Sequence, residues 1–403
     1  MRPDPSRGTA LKTAGIVKPL PYSTQRIEEG DIDAVVAVLR SDWLTSGPAV
    51  DRFERALAEY CGAKEAVAVS SGTAGLHLTC LALGLGPNKR LLTSTLTFAA
   101  SANCALYCGA SVDFTDVDPK TANMTPDTLS QALADRASAI VVPVHFGGRP
   151  ADVARIAAVA GGAHIVEDGC HAVGAEYWSD GSWHRIGSCR HSLATVFSFH
   201  PVKPMTTGEG GAILTNDTIL AKELRTLRSH GIVRDIEAQK THGGWYYEMR
   251  QLGYNYRITD IQAALGVAQL SRVDEGTQRR RDLASLYTSR LEDCNGIELP
   301  PRETAVRSAW HLFPVRIRHA RFDRRHVYDA LCQRGIQPQV HYIPVHLHPY
   351  YRERFGFSPG QFPAAEEFYR EELSLPLFAS MTEVDVERVA DSLVEILCSG
   401  AQN

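Results

Sequence analysis

The sequence predicts an α/β protein with a large, mainly parallel sheet domain followed by a smaller α+β domain. Short apolar runs alternate with helical patterns between residues 65 and 198, and this order changes after residue 295. The length of 403 residues suits one large and one small domain. We predict a flexible N-terminal segment at 1–20, a large domain at 21–260, a connecting helix at 261–295 and a small domain at 296–403.

The large domain is predicted from six apolar runs and the helical patterns between them. The runs are EAVAVSS, RLLTST, SVDFTDV, AIVVPVHF, HIVEDG and ATVFSF. Helical patterns follow the first four runs, over 72–85, 98–108, 126–133 and 151–160. Strand–helix–strand units of this kind form parallel sheets that helices cover on both faces.

The rest of the chain is predicted to connect and complete the two domains. A long helical pattern begins near Thr259 and continues through RVDEGTQRRRDLASLYTSRLED, as a helix that joins the domains. The small domain then has strand HLFPVRI, helix RRHVYDALCQRG, strand IQPQVHYI and a closing helix EVDVERVADSLVEIL. This mixed order is typical of an α+β domain.

Charge and composition exclude several classes of partner. Lys and Arg number 42 against 46 Asp and Glu, so no basic excess indicates nucleic acid. There is no long apolar stretch and no apolar secretory segment, which favours a cytoplasmic protein without membrane contact. Nine cysteines form no CxxC pair, and Cys104 and Cys108 lack a second ligand pair, so we predict buried thiols and no metal.

The stretch AVAVSSGTAGLHL predicts a strand followed directly by a helix. The amides at a helix N-terminus have no partners within the helix, and Gly72 allows close approach of a ligand to the backbone. With the hydroxyl of Thr73, this is a candidate phosphate site. The alternative is an ordinary Ser or Thr helix cap.

The stretch HIVEDGCHAVGAEY places Asp168 at the end of an apolar strand, at the edge where parallel sheets bind ligands. A carboxylate there must be solvated or paired, and a protonated heterocyclic nitrogen would be a suitable partner. The alternative is a capping aspartate.

The stretch SFHPVKPMTTGEGG places Lys203 between two prolines after a later strand. A neutral amine attacks carbonyl carbons, and apolar surroundings lower the pKa of a lysine, so this residue is a candidate for Schiff-base formation. The alternative is an exposed lysine. We favour a catalytic role for Lys203, because the phosphate site, the acidic strand end and the lysine follow one another in this order on one sheet.

Several stretches together resemble a known family, the DegT/DnrJ/EryC1/StrS nucleotide-sugar aminotransferases. They are SSGTAGL, TLTFAASANCALY, VEDGCHAVGAEY, TVFSFHPVKPMTTGEGGAILTND, LRSHGI and GYNYRITDIQAALG. The resemblance covers about Leu20 to Leu397, and VHYIPVHLHPYY looks closest to the pseudaminic-acid branch of the family. It implies a type I aspartate-aminotransferase fold with a seven-stranded sheet, and pyridoxal 5′-phosphate as coenzyme.

The resemblance also implies roles for individual residues. Lys203 would bind the coenzyme and then move the substrate proton, and Asp168 would keep the ring nitrogen protonated. Phe98 would lie on the ring face, although an ordinary core residue is the alternative, and His171 would approach the ring oxygen. The phosphate would be held by Gly72, Thr73, Ser198 and, from the neighbouring subunit, Asn255. The active unit would be a homodimer with shared active sites.

The substrates implied by the resemblance are L-glutamate and a UDP-linked 4-keto-6-deoxy-N-acetylhexosamine, aminated at C4 in pseudaminic-acid-type biosynthesis. Candidate substrate contacts are Arg228, His230, Arg257, His341 and His346. A structural ion pair is an equal alternative for Arg257, and packing is the alternative for the histidine loop. Trp178 and Trp183 would either shape the sugar pocket or lie in an exposed loop.

Other functions remain open within the same resemblance. The enzyme could aminate C4 or C3 of another nucleotide-linked keto sugar, such as a GDP- or dTDP-linked one. Pyridoxamine-phosphate-dependent sugar dehydratases resemble this sequence but carry histidine in place of Lys203. A regulator that has lost the coenzyme is disfavoured because Lys203, Asp168, Ser198 and Asn255 are all present.

Overall fold

The computed structural model describes residues 19–134, 136–302 and 304–398. Most of the predicted flexible segment at 1–20 therefore lies outside the described residues. Its last residue, Leu20, lies in a short strand that pairs with Ile336 of the small domain.

The described residues form strands and helices in the following order. The strands are β1 (Leu20–Pro21), β2 (Glu65–Val69), β3 (Arg90–Ser94), β4 (Ser111–Thr115), β5 (Ile140–Val142), β6 (His164–Asp168), β7 (Glu176–Ser179), β8 (Ser182–Arg185), β9 (Ala194–Ser198), β10 (Gly211–Thr215), β11 (Ile232–Val233), β12 (Glu248–Met249), β13 (Ile297–Glu298), β14 (Val306–Arg307), β15 (Phe313–Ile317), β16 (Ile336–Gln337) and β17 (Glu372–Leu375). The α-helices are α1 (Glu29–Leu39), α2 (Pro48–Cys61), α3 (Gly72–Ala82), α4 (Ala100–Tyr107), α5 (Pro126–Leu133), α6 (Val153–Val159), α7 (Thr218–Arg228), α8 (Ile236–His242), α9 (Asp260–Leu270), α10 (Val273–Leu291), α11 (Arg324–Gln333), α12 (Pro349–Phe355), α13 (Pro363–Glu371) and α14 (Glu383–Cys398). Short 3-10 helices lie at Phe146–Gly148 and Val345–Leu347.

Within the described ranges, seven strands form the sheet of the large domain, in the order β2-β10-β9-β6-β5-β3-β4. Neighbouring strands are parallel except around β10, which is antiparallel to both β2 and β9. Apolar side chains on one face pack with α3, α4 and α7, and those on the other face pack with α2 and α9. Because both faces are covered, the strands need continuous apolar runs. The predicted α/β fold is confirmed.

The small domain is built on the antiparallel sheet β13-β15-β17, whose apolar side chains pack with α10, α11 and α14. Two sequence-based expectations differ from the structure here. The predicted single connecting helix is divided by a turn into α9 and α10. Arg272 in this turn forms ion pairs with Glu28 at 2.6 Å and Asp31 at 2.5 Å. The predicted strand IQPQVHYI is short because Pro338 has no amide hydrogen, so β16 ends at Gln337.

The stretch that contains Trp178 and Trp183 is a β-hairpin. Its strands β7 and β8 form a sheet with β14 from the small-domain side of the chain. The two indole rings lie 5.5 Å apart, and the guanidinium of Arg307 lies 4.0 Å from the ring of Trp183. These contacts hold the hairpin to the chain beyond α10. Across the described ranges, no helix is both long and apolar enough to cross a membrane.

Candidate active site

The carboxyl ends of the parallel strands bring the predicted coenzyme residues to one edge of the large sheet. Asp168 ends β6, Ser198 ends the adjacent β9, and Lys203 lies in the turn that follows β9. Burial, as the largest cause, lowers the pKa of Lys203, while the charges of Cys170 and Asp168 act in the opposite direction. A lysine with a lowered pKa has a larger neutral fraction, which is the nucleophilic form.

The carboxylate of Asp168 is buried and held in a fixed orientation. Its Oδ2 accepts a hydrogen bond from the hydroxyl of Ser101 at 2.7 Å, and its Oδ1 accepts one from the amide of Cys170 at 3.1 Å. Each carboxylate oxygen keeps further acceptor capacity. The site therefore offers a buried acceptor for a protonated nitrogen.

The candidate phosphate site is formed where α3 begins close to β9 and β10. Ser71 caps α3 by accepting the amide of Ala74 at 3.1 Å, which leaves the first amides of the helix available. A Cβ atom on Gly72 would lie 2.9 Å from Cβ of Ser198, and one on Gly211 would lie 2.6 Å from the nitrogen of Gly72. Glycine at both positions therefore allows the helix start and Ser198 to meet.

Two histidines lie near the lysine, and a tyrosine contacts one of them. The amide of Gly147 donates a hydrogen bond to Nδ1 of His171 at 3.3 Å, and Nε2 of the same ring lies 3.0 Å from the hydroxyl of Tyr342. His311 Nε2 lies 3.5 Å from Lys203 Nζ. Burial, followed by the charge of Lys203, lowers the pKa of both His171 and His311 well below the ordinary range. Both rings are therefore neutral at physiological pH.

Sequence reasoning missed Ser101, His311 and Tyr342. Ser101 lies in the first turn of α4, and its hydroxyl also lies 2.8 Å from that of Thr97. The stretch AWHLF offered a polar residue among apolar ones as a signal for His311. No local pattern indicated that it would reach Lys203, because the two residues are 108 positions apart.

Phe98 lies just before α4 and is 59% exposed, so it is not the ordinary core residue that was its alternative. Its ring centre is 6.2 Å from that of Tyr342, which in turn contacts His171. The position of Phe98 is compatible with a planar ligand above the sheet edge. Its predicted contact with the coenzyme ring stays a prediction.

The GYNYR stretch alternates between side chains packed on this chain and side chains that face outward. The rings of Tyr254 and Tyr256 stack 5.0 Å apart and both contact His77. Asn255, between them, is exposed. The guanidinium of Arg257 donates to Ser229 Oγ at 3.3 Å, and no carboxylate forms an ion pair with it in the part of the chain that is described.

Three of the five candidate substrate residues, Arg228, His230 and Arg257, lie on adjacent segments, because the chain at the end of α7 pairs with the GYNYR stretch. His341 is buried beside Lys203, whose charge helps to lower the pKa of His341 to about 3, after the larger effect of burial. His230 is exposed at the start of the loop before β11.

Arg228 and His346 both form hydrogen bonds with other residues of the chain. The guanidinium of Arg228 donates to Glu54 and to the carbonyl of Ala68, both at 2.5 Å. The two ring nitrogens of the fully buried His346 are bonded to Thr95 at 2.7 Å and Glu366 at 3.1 Å. Contacts within the fold therefore use Nη1 of Arg228 and both ring nitrogens of His346, whereas Nε of Arg228 is buried without a hydrogen-bond partner among the described residues.

Comparison with known proteins adds to this geometry. Residues 25–394 match the profile of the DegT/DnrJ/EryC1/StrS aminotransferase family. The chain belongs to this family. The spore coat polysaccharide biosynthesis protein SpsC of Bacillus subtilis (strain 168) is 40% identical over 384 residues, which cover 94% of this chain and 97% of SpsC. The UDP-4-amino-4,6-dideoxy-N-acetyl-beta-L-altrosamine transaminase of Campylobacter jejuni is 36% identical over 381 residues, covering 93% and 97% of the two chains.

A solved structure of another aminotransferase has the same fold. PseC of Helicobacter pylori, an aminotransferase involved in the biosynthesis of pseudoaminic acid, superimposes with a TM-score of 0.86 at 30% identity. The match covers 95% of this chain and all of PseC. The protein described here is a pyridoxal-phosphate-dependent nucleotide-sugar aminotransferase of this family.

The residues at the sheet edge fit pyridoxal phosphate. A phosphate suits the available amides at the start of α3, where the close contacts at Gly72 and Gly211 leave no room for a side chain on either residue. A pyridinium nitrogen suits the buried carboxylate of Asp168, and an aldehyde suits the amine of Lys203. This donor set matches the three chemical groups of the coenzyme.

Proposed function

We propose that the enzyme transfers the amino group of L-glutamate to C4 of a UDP-linked 4-keto-6-deoxy-N-acetylhexosamine, in pseudaminic-acid-type biosynthesis. Glutamate leaves as 2-oxoglutarate in the first half of the reaction, and the sugar carbonyl receives the amine and loses its oxygen as water in the second. The observation that carries the transamination chemistry of this proposal is that Lys203 and the buried Asp168 lie at one edge of the sheet and interact electrostatically.

The proposed roles follow from the chemistry of each residue. Pyridoxal phosphate, when bound, supplies an aldehyde carbon and an electron-withdrawing ring. Lys203 Nζ binds the coenzyme and, once free, moves the proton at the carbon that carries the amine. Asp168 keeps the ring nitrogen protonated, and Ser101 orients Asp168 by its hydrogen bond of 2.7 Å. Phe98 and His171 would contact the ring, and Gly72, Thr73 and Ser198 would hold the phosphate.

The sugar is inferred from three relatives, which point to two different candidates. Similarity to the Campylobacter jejuni transaminase and to PseC supports the pseudaminic-acid substrate. The 40% identity with SpsC, a spore coat polysaccharide biosynthesis protein, supports as a second candidate the amination of another nucleotide-linked keto sugar. We expect either activity in the cytoplasm.

We also propose a homodimer in which Asn255 reaches the phosphate in the partner's site. Asn255 is exposed, while the tyrosines on either side of it are packed on their own chain. Exposed apolar residues lie in the preceding segment, with Trp245 80% and Leu252 75% exposed. A two-fold partner would cover these side chains and place Asn255 at a second active site.

The proposed function is tested with purified enzyme, glutamate and a panel of UDP-, GDP- and dTDP-linked 4-keto sugars, with products identified by mass. We expect the visible absorption of the bound coenzyme to disappear on addition of glutamate, and the UDP-linked 4-keto-6-deoxy-N-acetylhexosamine to be aminated fastest. Lys203→Ala should abolish turnover. Faster amination of a dTDP-linked sugar would favour the second candidate, and protein that binds no coenzyme would overturn both.

A further inference from the structure

A buried row of polar side chains leads from β17 of the small domain toward Lys203. Glu372 and Ser374 both lie on β17 and are fully buried. Ser374 Oγ lies 2.5 Å from Glu372 Oε1 and 2.9 Å from Nδ1 of His341. Glu372 Oε2 accepts the amide hydrogen of His341 at 2.7 Å. These contacts fix the histidine against the strand through both its backbone and its ring.

The ring of His341 is neutral, because burial and the charge of Lys203 lower its pKa to about 3. A neutral imidazole carries one proton, so one ring nitrogen donates and the other accepts. Nδ1 is bonded to Ser374, whereas Nε2 has no hydrogen-bond partner among the residues that the structure describes. The state of Nδ1 therefore determines what Nε2 can offer to a ligand.

The single hydroxyl hydrogen of Ser374 links the state of Glu372 to that of His341. When Glu372 is ionised, Ser374 donates to the carboxylate and accepts from Nδ1–H, so Nε2 of His341 is an acceptor. When Glu372 is protonated, the carboxyl donates to Ser374, Ser374 donates to Nδ1, and Nε2 carries the hydrogen. Protonation of the Glu372 carboxyl thus changes Nε2 of His341 from a hydrogen-bond acceptor to a donor.

We propose that Glu372, Ser374 and His341 form a relay that sets the tautomer of His341, and that its donor form binds an oxygen of the sugar substrate through Nε2–H. The substrate part of this inference rests on the proposed function. His341 contacts the substrate in this scheme, and Glu372 and Ser374 are positioning residues that act through it.

The electrostatic surroundings support the donor form at neutral pH. Burial, as the largest cause, raises the pKa of Glu372 to about 8, against hydrogen bonds from Ser374 and the His341 amide and the charge of Arg324.

Tyr22 packs against His341 with ring centres 5.4 Å apart, and burial raises the pKa of both Tyr22 and Tyr342. The other titratable groups that interact with His341 are Lys203, whose charge acts on it, and His171 and His311, whose rings are neutral.

The first test measures the tautomer directly, in full-length protein labelled with ¹⁵N in its histidine rings. The His341→Gln variant identifies the His341 signals. We expect the proton on Nε2 at about pH 6.5 and on Nδ1 at about pH 9.5, on either side of 8. Glu372→Gln, whose amide cannot ionise and can donate to Ser374, should keep Nε2–H at both pH values.

His145 is the internal control for this measurement. It is also fully buried, but its Nδ1 accepts the amide of Ala151 at 3.0 Å and its Nε2 lies 2.8 Å from Glu167. Its proton should remain on Nε2 throughout. An unchanged His341 tautomer in the wild type, or the same change in Glu372→Gln, overturns the relay.

The second test uses Ser374→Ala, which removes one oxygen from the row and covers the case in which Glu372→Gln does not fold. The His341 tautomer should become independent of pH, and KM for the sugar of the panel that turns over should rise about 10-fold. KM for glutamate should stay unchanged. Equal changes in both KM values, or no change in either, overturn the substrate contact. The tautomer result stands even if no sugar is aminated, so a failure of the relay and a failure of the proposed function are distinguishable.

Discussion

Asp168 is the residue whose role depends most directly on its charge. Asp168→Asn keeps the size of the side chain and can keep the hydrogen bond from Ser101, but it removes the charge that would hold a proton on the coenzyme ring. We expect the rate constant of the half-reaction with glutamate to fall by several powers of ten, measured in single turnovers. Ser101→Ala is the control and should lose far less, because the carboxylate remains. Similar losses in both variants would show that orientation, and not charge, is what matters.

Glu372 should make the stability of the protein depend on pH. Its pKa is raised from 4.5 to about 8 in the folded state, so the folded protein holds a proton that the unfolded chain releases. This contribution is fully present below pH 4.5 and is lost as the pH rises through 8.

The variant for this measurement is Glu372→Gln. Relative to the variant, the wild type should lose a few kcal/mol of unfolding free energy over that pH range, measured in urea at constant protein concentration. If the difference between the two proteins is the same at both ends of the range, the carboxyl titrates alike in the folded and unfolded states, and its pKa is not raised by folding.

At the scale of elements, the turn between α9 and α10 should depend on Arg272. This residue pairs with Glu28 and with Asp31, whose side chain is only 1% exposed, and Gln269 also donates to Asp31. Arg272→Ala leaves a buried carboxylate with fewer partners, and we expect a loss of about 1–3 kcal/mol in urea unfolding.

The matched control is Arg325→Ala on α11. Arg325 forms an ion pair with Asp329 in which both side chains are more than half exposed, at 84% and 53%. Its removal should change stability by less than about 0.5 kcal/mol. Equal effects of the two substitutions would mean that the α9–α10 turn does not need its ion pairs.

The same elements show what sequence reasoning can and cannot predict. Apolar runs and helical periodicity depend on local spacing, so the α/β order, the site at the sheet edge, Asp168 and Lys203 could all be predicted. The break between α9 and α10 depends on contacts with α1, which lies far away in the sequence. Arg272 and Asp31, for example, are 241 positions apart. His311 and Tyr342 reach the site from the small domain in the same long-range manner. Local patterns carry no information on such contacts.

At the scale of the whole molecule, the proposed dimer can be tested by mixing two inactive variants. Lys203→Ala removes the amine, and Asn255→Ala removes the side chain proposed to serve the partner's site. A mixed dimer contains one site with both defects and one site with neither, so co-expression should restore about a quarter of wild-type activity, since half of random dimers are mixed.

The control for this experiment is the mixture of each variant with itself, which should stay inactive. Separately purified homodimers of the two variants, mixed under conditions that prevent subunit exchange, should also stay inactive. If co-expression restores nothing although mixed dimers are isolated, Asn255 acts on the site of its own chain.

The short strand β1 has a consequence for comparisons between free and ligand-bound states. Leu20 pairs with Ile336 of the small domain, and only three residues later Ser23 donates to the carbonyl of Val202 at 2.9 Å. Val202 is the neighbour of Lys203. A rotation of the small domain would thus pull on the lysine turn through a tether of three residues, and we expect this rotation and a displacement of the reactive amine to occur together.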